Sequence, residues 1–280
     1  FGCHHEQKIQ SRILRGQSVW LQVCDSIKHI GVSLGAGMRI TAEHWLDAAR
    51  HCPSPYFNAR PNGEMSLTVI HNISLPPGQF GGPYIEQLFL GQLAPDVHPY
   101  FAEIYQLEVS AHLLIRRDGE VVQFVAFDQR AWHAGGGRWR GINDLNSVSL
   151  GIELDNVGTE DFAPAQMAAL KKLLDDLCTR HAIPRDAVIA HGDMAPTRKR
   201  DPSARFPWQE LWQAGFGVWY AADLPEPPPE FDAVLALQTF GYDTRDLPAA
   251  VKAFSRRFRG EEHEVLDAAD RRILYDLITP

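Results

Sequence analysis

The chain has 280 residues, of which 45% are hydrophobic and 22% charged, a make-up that gives a sizeable core and excludes a disordered or low-complexity chain. With 27 basic against 35 acidic residues the net charge is −8, so no global basic field is available to hold nucleic acid or an anionic membrane surface. No apolar run of about 18 residues is present to cross a membrane, and the four cysteines, Cys3, Cys24, Cys52 and Cys178, lack C-x-x-C spacing and suit reduced thiols.

The chain opens on Phe1, its first methionine is Met38, and residues 1–37 show neither a helical nor a strand period. They are expected to be an N-terminal extension foreign to the natural product. From Met38 the pattern alternates. Ser66-Leu67-Thr68-Val69-Ile70 reads as a short buried strand ending in His71, followed by a long loop marked by Pro76-Pro77-Gly78 and Gly81-Gly82-Pro83. Residues 109–125 read as a hairpin turning at Asp118-Gly119. Residues 148–154 alternate with period two and make a third strand. Met167, Leu170, Leu173, Leu174 and Leu177 recur at helical spacing, with Pro164 suited to the first turn. The next strand, Ala187-Val188-Ile189-Ala190, ends in His191. These elements predict an α/β fold, a mixed central β-sheet flanked by helices.

Residues 223–230, Asp-Leu-Pro-Glu-Pro-Pro-Pro-Glu, read as a stiff linker between a domain at 38–222 and a module at 231–280. The module carries three helical patterns: Phe231 to Phe240 stopped by Gly241, a segment from Pro248 with Val251, Phe254 and Phe258 inward, and one after Asp267. Three short helices make a marginal core alone, so the module is expected to lean on the main domain.

Polar groups cluster at strand ends in three places, Val69 to Asn72, Gly151 to Leu154 and His191 to Pro202. Two histidines and a carboxylate with an open fourth position are the donor set of a catalytic zinc site. His71 and His191 lie 120 positions apart, and periodicity does not show that they meet.

Five stretches stand in order: Val69-Ile70-His71-Asn72 through Gly78, Ser110-Ala111-His112, Arg130-Ala131-Trp132-His133-Ala134-Gly135, Gly151-Ile152-Glu153-Leu154, and His191-Gly192-Asp193 through Asp201-Pro202. Together they resemble the type 2 zinc-dependent N-acetylmuramoyl-L-alanine amidases, and within these the AmpD-type 1,6-anhydro-N-acetylmuramyl-L-alanine amidases. The resemblance covers about residues 38–212. It implies Zn²⁺ ligation by His71, His191 and Asp201, with Glu153 and Lys199 flanking the reacting amide as base and oxyanion stabiliser. It also implies hydrolysis of the bond between the muramic lactyl group and L-alanine, on an anhydromuropeptide or peptidoglycan substrate. Asn72, Trp132 and Arg198 are taken as substrate contacts, and His112 and His133 as structural or substrate-contacting groups.

Two departures qualify the likeness. Ser203 follows Pro202 where the family has glycine, so the backbone beyond Asp201 is expected to turn differently. The cytoplasmic recycling type ends soon after its last motif, whereas residues 231–277 resemble a three-helix peptidoglycan-binding module. Cytoplasmic recycling of soluble anhydromuropeptides is the expected role, with an envelope amidase acting on intact peptidoglycan as the alternative. A non-catalytic muropeptide-binding protein is disfavoured, because a pure binder has no use for an open metal site beside a base and a cation.

Overall fold

The computed structural model describes residues 38–61 and 63–279, so the expectation for residues 1–37 lies outside the described residues. Eight strands are seen: β1 (Arg50–His51), β2 (Phe57–Ala59), β3 (Leu67–Ile73), β4 (Leu113–Ile115), β5 (Val121–Gln123), β6 (Gln129–Ala131), β7 (Ser149–Asp155) and β8 (Val188–Ala190). Six of them form a mixed sheet in the order β1-β5-β4-β7-β3-β8, and β2 pairs with β6 in a separate antiparallel ribbon. The strand β3 runs parallel to β7 on one side and to β8 on the other. The expected hairpin is β4–β5, the antiparallel pair within the sheet.

Helices cover both faces of the sheet. The expected long helix, α3 (Pro164–His181), starts with proline in its first turn and buries Met167, Leu170, Leu173, Leu174 and Leu177. These side chains share a core with Ile70, Leu150, Ile152 and Leu154. Gln166 fixes the helix to the sheet by donating from Nε2 to the carbonyls of Ile115 and Asp155, 3.0 Å each. On the other face lie α1 (Tyr84–Phe89) and α2 (Pro99–Ile104), between the expected loop markers and the expected hairpin, with Leu114 and Val122 beneath them.

Short helices α4 (His191–Met194) and α5 (Trp208–Gln213) follow β8, and then come the three C-terminal helices, α6 (Ala233–Phe240), α7 (Leu247–Arg259) and α8 (Ala268–Ile278). Aspartates cap all three: Asp232 accepts from Val234 and Leu235, Asp246 from Ala249, and Asp267 from Asp270. Each such cap contributes on the order of 1 kcal/mol. Phe231, expected inside the first of these helices, precedes the Asp232 cap and stacks edge-on against Tyr275.

The C-terminal helices do not stand apart. Leu237, Phe240, Phe254 and Phe258 share one core with Leu67, Val69 and Ile189 of the sheet and with Trp139. The indole of Trp139 meets Phe240 and Tyr242 edge-on, with centroids 5.9 and 5.1 Å away. Removing a fully buried phenylalanine from such a core costs about 3–5 kcal/mol. Phe254→Ala should therefore lower the stability of the whole chain by that amount in urea denaturation. Far-ultraviolet dichroism and tryptophan fluorescence should report one coincident transition; separate transitions for the sheet and the C-terminal helices would contradict a shared core.

Candidate metal centre

In the parallel pair β3–β7, His71 stands opposite Glu153 and Val69 opposite Gly151. Alternation then sends Leu67, Val69 and His71 to one face, together with Gly151 and Glu153. His71 lies inside its strand and not at its end, because pairing with β7 continues to Ile73 and Asp155. On the other side of β3, β8 ends at Ala190, and the turn into α4 brings up His191. The chain then loops through residues 195–200 and returns to Asp201, whose carbonyl accepts from the Gly192 amide at 2.7 Å.

Three donor atoms converge. His71 Nδ1 lies 2.9 Å from His191 Nδ1 and 3.0 Å from Asp201 Oδ2, and His191 Nδ1 lies 2.9 Å from the same oxygen. The imidazoles are 1% and 3% exposed, so only the Asp201 side of the triangle is open to a substrate.

Neighbouring groups assign the protons. The Ser149 hydroxyl donates to the Leu145 carbonyl and can accept from His133 Nε2 at 3.3 Å. That leaves His133 Nδ1 to accept, at 3.0 Å, from His71 Nε2. His191 Nε2 donates to the Ala134 carbonyl at 3.1 Å. Both Nδ1 atoms therefore carry lone pairs directed at each other and at a carboxylate. Burial, with the nearby His191 adding to it, lowers the His71 pKa to about 4 and keeps the ring neutral. Two neutral imidazoles and a carboxylate at this spacing fit a divalent cation, and outer-sphere hydrogen bonds of this kind orient metal ligands.

Glu153 is half-buried, and its Oε2 is buried without a hydrogen-bond partner. Burial first, and then the charge of Asp201, raises its pKa well above the ordinary carboxylate range, and Lys199 partly offsets this. Lys199 makes no ion pair among the described residues. Together with Asp201, Lys199 lines a cavity of about 550 Å³, which Asn72 and Arg198 also reach.

The other expected contacts are partly committed elsewhere. The Asn72 amide donates to the Asn156 carbonyl and accepts from the Ser203 amide, tying the backbone just beyond Asp201 to β3. Arg198 donates to the carbonyls of Ala134 and Gly136. The Trp132 indole donates to Asn58 at 2.7 Å and does not line the cavity. His112 is structural: its Nδ1 accepts from the Gly151 amide and its Nε2 donates to the Gln129 carbonyl. Two groups escaped the sequence reading. Ser149 ends the proton chain, and Asn146 accepts from the amides of His133 and Ala134. Gly151 admits this arrangement, since a Cβ there would lie 2.4 Å from the His133 ring.

The family model described as N-acetylmuramoyl-L-alanine amidase matches residues 61–204. The chain is 50% identical over 168 residues to the 1,6-anhydro-N-acetylmuramyl-L-alanine amidase AmpD of Enterobacter cloacae, covering 60% of this chain and 90% of that one. It is similar to Escherichia coli AmiD, solved with the substrate anhydro-N-acetylmuramic acid-L-Ala-D-gamma-Glu-L-Lys, at 29% identity and a TM-score of 0.59 over 76% of this chain and 88% of that one. AmpDh3 of Pseudomonas aeruginosa is similar at 27% identity and a TM-score of 0.61, over 80% of this chain and 95% of that one.

Two outcomes are expected. His133→Phe removes the acceptor for His71 Nε2 and should weaken divalent-metal affinity about 10–100-fold in a chelator competition; unchanged affinity would contradict the assigned protons. Burial first, and then the charge of Arg60, lowers the His112 pKa to about 3, against about 6.5 unfolded. Its contribution is complete above pH 6.5 and is lost as pH falls toward 3, about 2 kcal/mol of it by pH 5. In His112→Asn the urea midpoint should fall less steeply between pH 7 and 5 than in the unsubstituted protein.

Proposed function

The chain belongs to the N-acetylmuramoyl-L-alanine amidase family, and from that premise we propose that zinc held by His71, His191 and Asp201 serves cleavage of anhydromuropeptides in cell-wall recycling. The bond cut joins the lactyl group of the muramic acid to L-alanine. The observation that carries the reading is the triangle of donors within 3.0 Å, with Glu153 on the neighbouring strand opposite His71.

When bound, zinc supplies Lewis acidity toward a carbonyl and toward water. The remaining steps belong to the chain's own side chains. The Glu153 carboxylate takes the proton of the attacking water and delivers it to the nitrogen of L-alanine as the C–N bond breaks. Its raised proton affinity suits both roles, since an ordinary carboxylate holds the proton too weakly to serve a poor leaving amine. The Lys199 ammonium faces the negative charge that develops on the carbonyl oxygen. Arg198 and Asn72, which reach the cavity, would meet the sugar or peptide, and Trp132 would extend that contact from outside it.

An anhydro sugar is supported by the name of the E. cloacae relative and by the ligand in the AmiD structure. Among the described residues Cys52 and Cys178 are free thiols, in keeping with the cytoplasm as the proposed compartment, and no helix is long and apolar enough to cross a membrane. The alternative of an envelope enzyme acting on intact peptidoglycan draws on the C-terminal helices, which share a core with the sheet.

Purified protein should release peptide from anhydromuramyl-tripeptide in zinc and lose that activity to a chelator. Intact sacculi should yield far less, and the reverse preference would favour the envelope reading. Glu153→Gln should retain zinc while kcat falls about 10²–10⁴-fold; near-normal turnover would remove Glu153 from the mechanism.

A further inference from the structure

The four-residue helix α4 that carries His191 is held from one side by the C-terminal helices. Two residues after His191, Asp193 is 1% exposed, and every partner of its carboxylate is known. Oδ2 accepts from the Ala190 amide at 3.0 Å and from the Arg257 guanidinium, and Oδ1 accepts from the Tyr242 hydroxyl at 2.7 Å. Tyr242 and Arg257 are themselves 3% and 4% exposed. A second Arg257 nitrogen donates to the Val188 carbonyl in β8, and its guanidinium lies 4.2 Å from the Trp208 ring. The preceding residue, Arg256, packs so closely on Gly192 that a Cβ there would lie 2.7 Å from its guanidinium.

A buried ion pair of this kind adds little net stability, because desolvation offsets most of the attraction. Its contribution is geometric. Three donors from three directions leave the Asp193 carboxylate one orientation, and the helix that presents His191 Nδ1 is too short to fix itself. We infer that Tyr242, Arg257 and Asp193 are positioning residues of the metal centre, so that the C-terminal helices set His191 and are a working part of the catalytic unit. This rests on the reading of His191 as a metal ligand.

The test uses the full chain and two readouts that core stability alone does not move: the zinc dissociation constant by chelator competition, and the visible absorption bands of the cobalt(II)-loaded protein. Tyr242→Phe removes one hydroxyl and keeps the ring in its place. It should weaken zinc about 5–10-fold and alter the cobalt bands, a smaller loss than for a group bonded directly to a ligand. Asp193→Asn, which keeps the side-chain shape, should weaken zinc at least about tenfold. Ile273→Val, in the same shared core but away from α4, should leave both readouts unchanged. Folded Tyr242→Phe and Asp193→Asn proteins with unaltered zinc affinity and cobalt bands would overturn this inference alone. Failure of the unsubstituted protein to bind zinc, or full binding by His191→Ala, would overturn the ligand reading and this inference with it.

Discussion

Two imidazole nitrogens without protons and a carboxylate oxygen repel one another, yet here they meet within 3.0 Å in a site almost closed to water. Such an arrangement persists only when the surrounding structure over-determines it, and it is one that a cation would balance. The proton chain from His71 through His133 and Ser149 to the Leu145 carbonyl forces one lone pair inward, and the Ala134 carbonyl forces the other. Most of the fold around the site can be read as the means of holding that convergence. Parallel register between β3 and β7 aims His71 and Glu153 from one face, and the Gly192 amide draws Asp201 back to the start of α4.

That same register divides the chemistry. Two carboxylates close together hold their protons differently only in different environments, and the structure supplies these. Burial opposes ionisation of Asp201, but the two imidazoles beside it hold its carboxyl well below the usual carboxylate range. Glu153 has a buried oxygen with no partner, so it holds a proton far more readily. Two neighbouring carboxylates thereby suit the two proposed roles, ligand and proton carrier. The C-terminal region extends this logic, because Tyr242, just after α6, and Arg257 of α7 bond to the helix that bears His191.

Much of this was legible from sequence. Strands β3 and β7, helix α3 and the C-terminal helices carried long apolar periods and proline, aspartate or glycine end signals, so local preference and tertiary burial agreed. The strands β1, β2 and β6 have only two or three residues each, too few for a period to register. Helices α1 and α2 have six residues each and follow a proline- and glycine-rich loop, too short for a helical period to register. In the site, motif likeness pointed to the donors, but their meeting across 120 positions needed the sheet register. The roles of Ser149 and Asn146 had no sequence signal, since a serine and an asparagine near a strand are ordinary polar residues until their partners are known. Trp132 is a further case: its indole donates to Asn58, a partner that no spacing in the sequence indicates.

On the proposed reading His71, His191 and Asp201 form one metal centre of nitrogen and oxygen donors. Zinc-edge X-ray absorption on the zinc-loaded protein tests it most directly. Two imidazole nitrogens and light oxygen scatterers are expected at about 2.0–2.2 Å, with no sulfur at about 2.3 Å. A spectrum fitted by sulfur, by a single imidazole, or by hydrated zinc alone would contradict it.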